Sequence, residues 1–195
     1  MPTYLRSQVC WFHKKTNRHW VFSNMAGQMP IYWPLEQLPD NKWFSSEQLY
    51  QASKYRRGIY VSPKSGGRLS MASVRSRIKA MHAPRGAKMT QKCAEKAGEV
   101  RPDWDGPDGV KLKAMLWVLE LKLYWNPDTF GAALAKTGTK PIVEVSNKDS
   151  FWGCKVAGGK LVGENHLGRL LMQVRRRRRQ IVKGKFTYPK GFLLG

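Results

Sequence analysis

The chain of 195 residues has little cysteine and little acid. Its three cysteines, Cys10, Cys93 and Cys154, are odd in number and far apart, which excludes a disulfide framework and a zinc-type spacing. The four histidines, His13, His19, His82 and His166, form no metal-ligand pattern, so neither a metal nor a cofactor is expected. No stretch reaches the roughly 18 apolar residues of a membrane span. The N-terminal MPTYLRSQVCWFHKK lacks the basic-then-apolar layout of a signal peptide. The expectation is therefore a cytoplasmic protein with no membrane partner. No repeat of constant period is present.

Against 13 acidic residues stand 35 basic ones, a net charge of +22. The excess is uneven. Residues 51–100 hold 12 basic and 2 acidic side chains, and residues 151–195 hold 11 and 1, while residues 101–150 are balanced at 7 each. Two basic blocks flanking a neutral one point to a polyanionic partner, most often nucleic acid. The bland alternative is solubility through charge, but +22 also costs self-repulsion. Hydrophobic content of 42% and eight tryptophans give enough material for one folded domain.

Residues 9–24 (VCWFHKKTNRHWVFSN) read as two short strands around a polar turn. Residues 30–41, with three prolines, read as mostly loop. A helix opens after Ser45, whose pairing with Gln48 makes a capping box. Residues 69–81 and 84–97 are helical candidates. Residues 108–125 are the clearest helix, with Val110, Ala114, Trp117, Leu121 and Tyr124 on its apolar face. A short helix at 127–136, a strand at 141–145 and a last helix from 165, extended by Arg175–Arg179, complete the reading. The class is α+β, a mostly helical domain over 1–175 with a small sheet, followed by a basic extension over 176–195.

The chemistry concentrates in FSSEQLYQASKY (44–55). Glu47, Tyr50, Gln51 and Lys54 recur at offsets 0, 3, 4 and 7, one helical stripe. A core helix would carry Leu or Val there. Singly, Glu47 reads as a helix-dipole partner and Lys54 as a surface lysine. Together they can act on two ends of one ligand. In EVSNKDSFWG (144–153), Asp149, Trp152 and Gly153 follow a strand, either as a site loop or as an Asx-type turn with a tryptophan anchor. In GENHLG (163–168), Asn165 and Gly168 either cap the last helix or present backbone N–H groups to a phosphate. Trp104, in RPDWD (101–105), either staples the long helix or lines a site.

Taken in order, FSN (22–24), SSEQLYQASKY, APRGAK (83–88), RPDWD, KTGTKPIVEVSNKDSFWG (136–153) and GENHLGRLLMQVR (163–175) resemble the NADAR family. That family includes N-glycosidases of early riboflavin-pathway intermediates and enzymes that remove ADP-ribose from guanine bases of DNA. The resemblance implies an N-glycosyl hydrolase with Glu47, Lys54 and Asp149 as catalytic groups. Phe22, Asn24, Tyr50, Gln51, Lys88, Trp104, Trp152, Gly153, Asn165 and Gly168 would contact substrate. Lys54 matches the position of the family's Schiff-base lysine, and Lys88 is the second candidate for it. The surplus charge favours ADP-ribosylated DNA, single-stranded, over a small ADP-ribose-containing or riboflavin-type ligand. A role in toxin reversal or phage defence would follow. A non-catalytic nucleic-acid binder on the same fold is the third reading. The sequence departs from the family at Gln48, where His is usual, and in an extra loop at 33–41.

Overall fold

The apolar segment Cys10–Phe12 does become a strand, but the hairpin expected over 9–24 does not form. The strand pairs in parallel with Ile142–Glu144, placing Cys10 opposite Ile142 and Phe12 opposite Glu144. The second half of the expected hairpin, Trp20–Phe22, is instead a 3-10 turn. Strand propensity scores both segments alike and cannot choose between a near partner and a distant one. Here the distant strand takes the edge.

The computed structural model describes residues 1–13, 15–33, 42–55, 59–61, 68–70, 76, 78–80, 100–105 and 109–186. They fall into two units, one built from Met1–Ala26 and Leu119–Phe186, the other from Gly27–Val118 and Thr187–Gly195. The architecture is α+β with small sheets.

In the first unit a three-stranded antiparallel sheet runs in the order Thr3–Tyr4, Lys160–Val162, Lys155–Ala157. Val143, Val145, Cys154 and Leu161 form a buried cluster, with Tyr4, Val9 and Trp11 packed against it. The last helix spans His166–Val182 and buries Leu167, Leu171, Val174 and Ile181. Each such aliphatic side chain is worth roughly 1.5–3 kcal/mol on burial. The arginines do extend this helix. Two of them are tied into the fold: Arg175 donates to Thr137 Oγ1 (2.7 Å) and the Lys140 carbonyl (2.8 Å), and Arg177 pairs with the buried Glu120. The boundary expected at 175/176 thus falls inside a continuous helix. A π-type turn, Pro127–Gly131, and the helix Ala132–Lys136 fill the expected 127–136 helix.

In the second unit, Ile31–Tyr32 pairs antiparallel with Lys42–Trp43, so part of the expected loop is strand. Pro30 stands directly before this two-residue strand. Arg68–Ser70 is a strand paired with Ile59–Val61, which corrects the start of the helix expected at 69–81, although residues 76 and 78–80 are helical. The helix expected at 84–97 lies outside the described residues.

The long helix spans Lys111–Trp125. An amphipathic helix was expected, yet every residue from Ala114 to Leu123 is buried, including Glu120 and Lys122. A helix enclosed on all sides needs apolar residues on all faces, and AMLWVLELKL supplies them apart from those two charges. Among the described residues no helix is long and apolar enough to cross a membrane.

Candidate active site

The opening helix, Ser46–Ala52, starts as its sequence dictates. Ser45 Oγ accepts from the Gln48 N–H (3.3 Å), and Gln48 Oε1 accepts from the Ser45 N–H (3.0 Å). Gln48 is wholly buried and its Nε2 also donates to the Lys79 carbonyl (3.2 Å). The amide that stands where the family usually has His is therefore a framework group.

All seven residues of this helix are buried, which is unusual for a segment so polar. Glu47 is 6% exposed and accepts a 2.7 Å hydrogen bond from Gln51 Nε2, one turn on. That bond fixes the orientation of the Gln51 amide, since the reverse would set oxygen against carboxylate. Gln51 Oε1 is then left buried with no partner among the described residues. An unsatisfied buried acceptor costs about 1–3 kcal/mol, and a ligand N–H or O–H would remove that cost.

The helix closes at Ala52, and Lys54 follows in a tightened turn, its N–H donating to the Gln51 carbonyl at 3.4 Å. The half-buried Lys54 ammonium stands 5.8 Å from the centre of the Trp104 ring, and the Tyr50 ring is 5.3 Å from the same indole. Arg101 holds Trp104 in place. Its backbone N–H donates to the Lys54 carbonyl (2.9 Å), while its buried guanidinium forks onto Asp103 at 2.6 and 2.8 Å. The long helix starts from this segment, the Val110 and Lys111 N–H groups donating to the Asp103 and Trp104 carbonyls. Glu47, Tyr50, Gln51, Lys54 and Trp104 are thus gathered in one unit. Lys88 lies outside the described residues.

The other candidates belong to the first unit, and there the structure assigns several to the framework. Phe22 is fully buried, edge-on to Phe12 (6.1 Å) and Phe130 (6.2 Å) and stacked on His19 (5.7 Å). It packs in the core of this unit. Asn165 is also fully buried, with left-handed backbone (φ 54°). Its Nδ2 donates to the Ile142 carbonyl (2.9 Å) and its Oδ1 accepts from the Glu144 N–H (3.2 Å). Its side chain therefore latches strand to helix and does not cap the helix. A Cβ on Gly168 would come within 2.1 Å of the Ile142 carbonyl oxygen, and one on Gly153 within 2.7 Å of the Glu144 carbonyl oxygen. Both glycines permit close backbone approach. Asp149 Oδ1 accepts from the N–H groups of Phe151 and Trp152, each at 2.9 Å, so the Asx-type turn is present. Trp152 is half-buried against Phe151, and Asn24 is 6% exposed.

Sequence reasoning missed Lys122. Its ammonium, fully buried, donates to the Val21 carbonyl (2.9 Å) and the Ser23 carbonyl (3.0 Å), and sits 4.6 Å from the centre of the Phe130 ring. Those carbonyls flank Phe22, so Lys122 sets the path of the FSN segment that leads to Asn24. Burial pushes its pKa down to about 7. The available signal was a lysine amid an apolar run, where a solvated lysine has no place. The free thiols Cys10 and Cys154 are buried, and burial, then Glu144, pushes Cys154 up to about 11, which makes it a poor nucleophile. Among the described residues no cluster of His, Cys, Asp or Glu is set to hold a metal.

An α+β fold that holds a buried carboxylate and amide on one short helix, with an amine in the turn that follows it, defines a small enzyme-like domain. The NADAR domain model matches residues 11–179, and the chain belongs to that family. It is 33% identical over 145 residues to an N-glycosidase of Nostoc punctiforme, covering 74% of this chain and 80% of that one. It is 26% identical over 164 residues to the N-glycosidase YbiA of Escherichia coli, covering 84% of each. A riboflavin biosynthesis protein of Vibrio vulnificus is 32% identical over 133 residues, 68% of this chain and 30% of that protein. The solution structure of Escherichia coli YbiA shares the fold, with a TM-score of 0.63 and 24% identity over 97% of this chain and 99% of that one.

Proposed function

We propose that this chain is an N-glycosidase, that it removes ADP-ribose from guanine bases of DNA, and that Glu47 and Lys54 carry the reaction. The observation that carries the chemistry is the buried Glu47–Gln51 pair with its open acceptor, in the same unit as the Lys54 amine. The names of the relatives support the reaction class. The +22 charge supports the polyanionic substrate.

In this reading ribose C1 is bonded to an exocyclic amine of the base. Protonation of the ring oxygen by Glu47 opens the sugar to a C1 iminium. The neutral Lys54 amine adds to C1, and the C1–N bond to the base breaks as the departing amine takes up a proton. The sugar remains as a Schiff base on Lys54. Water then adds to C1, Lys54 departs, and the ring recloses. The net change consumes one water and yields free base and ADP-ribose. Only the neutral amine can attack, so Lys54 passes a proton on first, and Glu47 is the acceptor in this reading. Gln51 Oε1 accepts from the substrate amine or a ribose hydroxyl.

A second reading has a specific support. The Vibrio vulnificus relative is named for riboflavin biosynthesis, and the same residues suit a phosphorylated ribosylamino-pyrimidine. Incubation with ADP-ribosylated oligonucleotide and, separately, with that pyrimidine decides between them. Release of ADP-ribose from the first and no turnover of the second is expected. Turnover of the pyrimidine alone refutes the DNA reading, and turnover of neither refutes both.

A further inference from the structure

Beside the arginine-rich end of the last helix lies a groove of about 430 Å³, inside the range of about 300–1,000 Å³ typical of ligand clefts. Leu123, Pro127 and Val182 give it an apolar floor, and Arg178, Arg179 and Lys183 a basic rim. Gly131 lets the floor close-pack, since a Cβ there would come within 2.9 Å of Leu123 Cδ1. Arg175 and Arg177 are committed inside the fold. The rim cations are not. Arg178 gives one N–H to the Arg175 carbonyl at 3.3 Å, and Arg179 and Lys183 make no side-chain hydrogen bond or ion pair among the described residues. Among the described residues no acidic side chain lines the groove; Asp128, on the turn beside Pro127, is exposed.

Basic residues at a helix C-terminus complement its dipole, and that accounts for some of this charge. It does not account for Val182, which stays 45% exposed between cations, nor for the apolar floor beneath them. A simple anion would need no floor, and a neutral ligand no rim. A polyanion with flat apolar faces between its charges matches both. In a duplex those faces are stacked away, whereas a single strand offers them to apolar surfaces.

We propose that this groove binds single-stranded nucleic acid, with backbone phosphates on Arg178, Arg179 and Lys183 and a base against Pro127 and Val182. The inference rests on the nucleic-acid part of the function proposed above. It deepens that part by naming a contact surface other than the reacting residues.

The test uses the full chain and an unmodified, fluorescent single-stranded oligodeoxythymidine, read by anisotropy across a salt series. A triple variant, Arg178→Gln with Arg179→Gln and Lys183→Gln, is compared with a control that removes the same charge from the exposed Lys148, Lys155 and Lys160. Thermal melts confirm that both variants fold. The groove variant should bind roughly tenfold or more weakly than wild type, with a log–log salt slope shallower by about 2, at ~0.7 per lost phosphate contact. The control should lose much less. An abasic strand of equal length should bind wild type measurably more weakly than the intact strand, because it lacks the base that would cover Pro127 and Val182. Equal losses in the two triple variants, or equal binding of abasic and intact strands, would overturn the groove. Wild-type binding to phosphatidylserine vesicles but not to the oligonucleotide would overturn it in favour of a lipid surface. Binding is read on unmodified DNA, separately from turnover, so loss of the proposed activity and loss of the groove are distinguished. Wild type that hydrolyses ADP-ribosylated DNA while the groove variant binds unchanged sinks the groove alone.

Discussion

Replacing Lys122 with Met gives the sharpest test of how the FSN segment is held. Burial lowers the Lys122 pKa from 10.5 to about 7 in the folded protein. Between those values the unfolded chain holds the proton and the folded chain does not. Stability therefore rises with pH across that window, at up to about 1.4 kcal/mol per unit. Below pH 7 both states are protonated and the contribution is flat. From pH 6 to pH 9 the accumulated gain is about 2–3 kcal/mol. Lys122→Met is close in shape, has no titrating group, and leaves the Val21 and Ser23 carbonyls without this donor, at about 1–3 kcal/mol for each buried acceptor left unsatisfied. The absolute stability of the variant combines that loss with relief from burying a charge, but the pH slope isolates the lysine. Urea unfolding of wild type and variant at pH 6, 7, 8 and 9 gives the difference directly, because the other titrating groups are common to both. That difference should grow in favour of wild type by about 2–3 kcal/mol from pH 6 to pH 9. A flat difference would show that Lys122 keeps an ordinary pKa, and the account of a desolvated amine on the two carbonyls would fail.

Lys54→Ala should abolish a borohydride-trapped sugar adduct and most turnover; normal turnover would transfer the nucleophile's role to Lys88 or to water. Glu47→Gln should cost about 10²–10⁴ in kcat with KM little changed, the usual range for a general acid/base; an equal loss in thermal stability would mark Glu47 as framework instead. Gly168→Ala should destabilise by roughly 2 kcal/mol or more, as overpacking against backbone does, because its Cβ meets the Ile142 carbonyl oxygen at 2.1 Å; a wild-type melt would refute the close approach. Ser45→Ala should cost about 1 kcal/mol through loss of the capping box, measured by urea unfolding, and a neutral result would show that the tertiary burial of this helix overrides its cap.

Local signals in the sequence decided a good part of this protein. The Ser45–Gln48 box set the start of the opening helix, since its donors and acceptors lie within four residues of one another. The polar spacing of Glu47, Tyr50 and Gln51 was legible as one helical stripe. The strand at 142–144 and the last helix followed from apolar periodicity, and the surplus of basic residues was plain from composition. What only the tertiary structure decided depends on partners distant in sequence. Residues 10–12 and 20–22 look equally strand-like, and the parallel partner Ile142–Glu144 took only the first. Asn165 reads as a helix cap, yet a left-handed backbone turns its amide to strand carbonyl and N–H groups that no local pattern reveals. Phe22 matches a family motif, but its surroundings of Phe12, Phe130 and His19 exist only once the chain is folded. The same holds for the arginine run, which a sequence presents as five equivalent charges. Folding ties Arg175 to Thr137 and Arg177 to Glu120, and turns Arg178 and Arg179 to a groove, because a helix distributes consecutive residues about 100° apart around its axis.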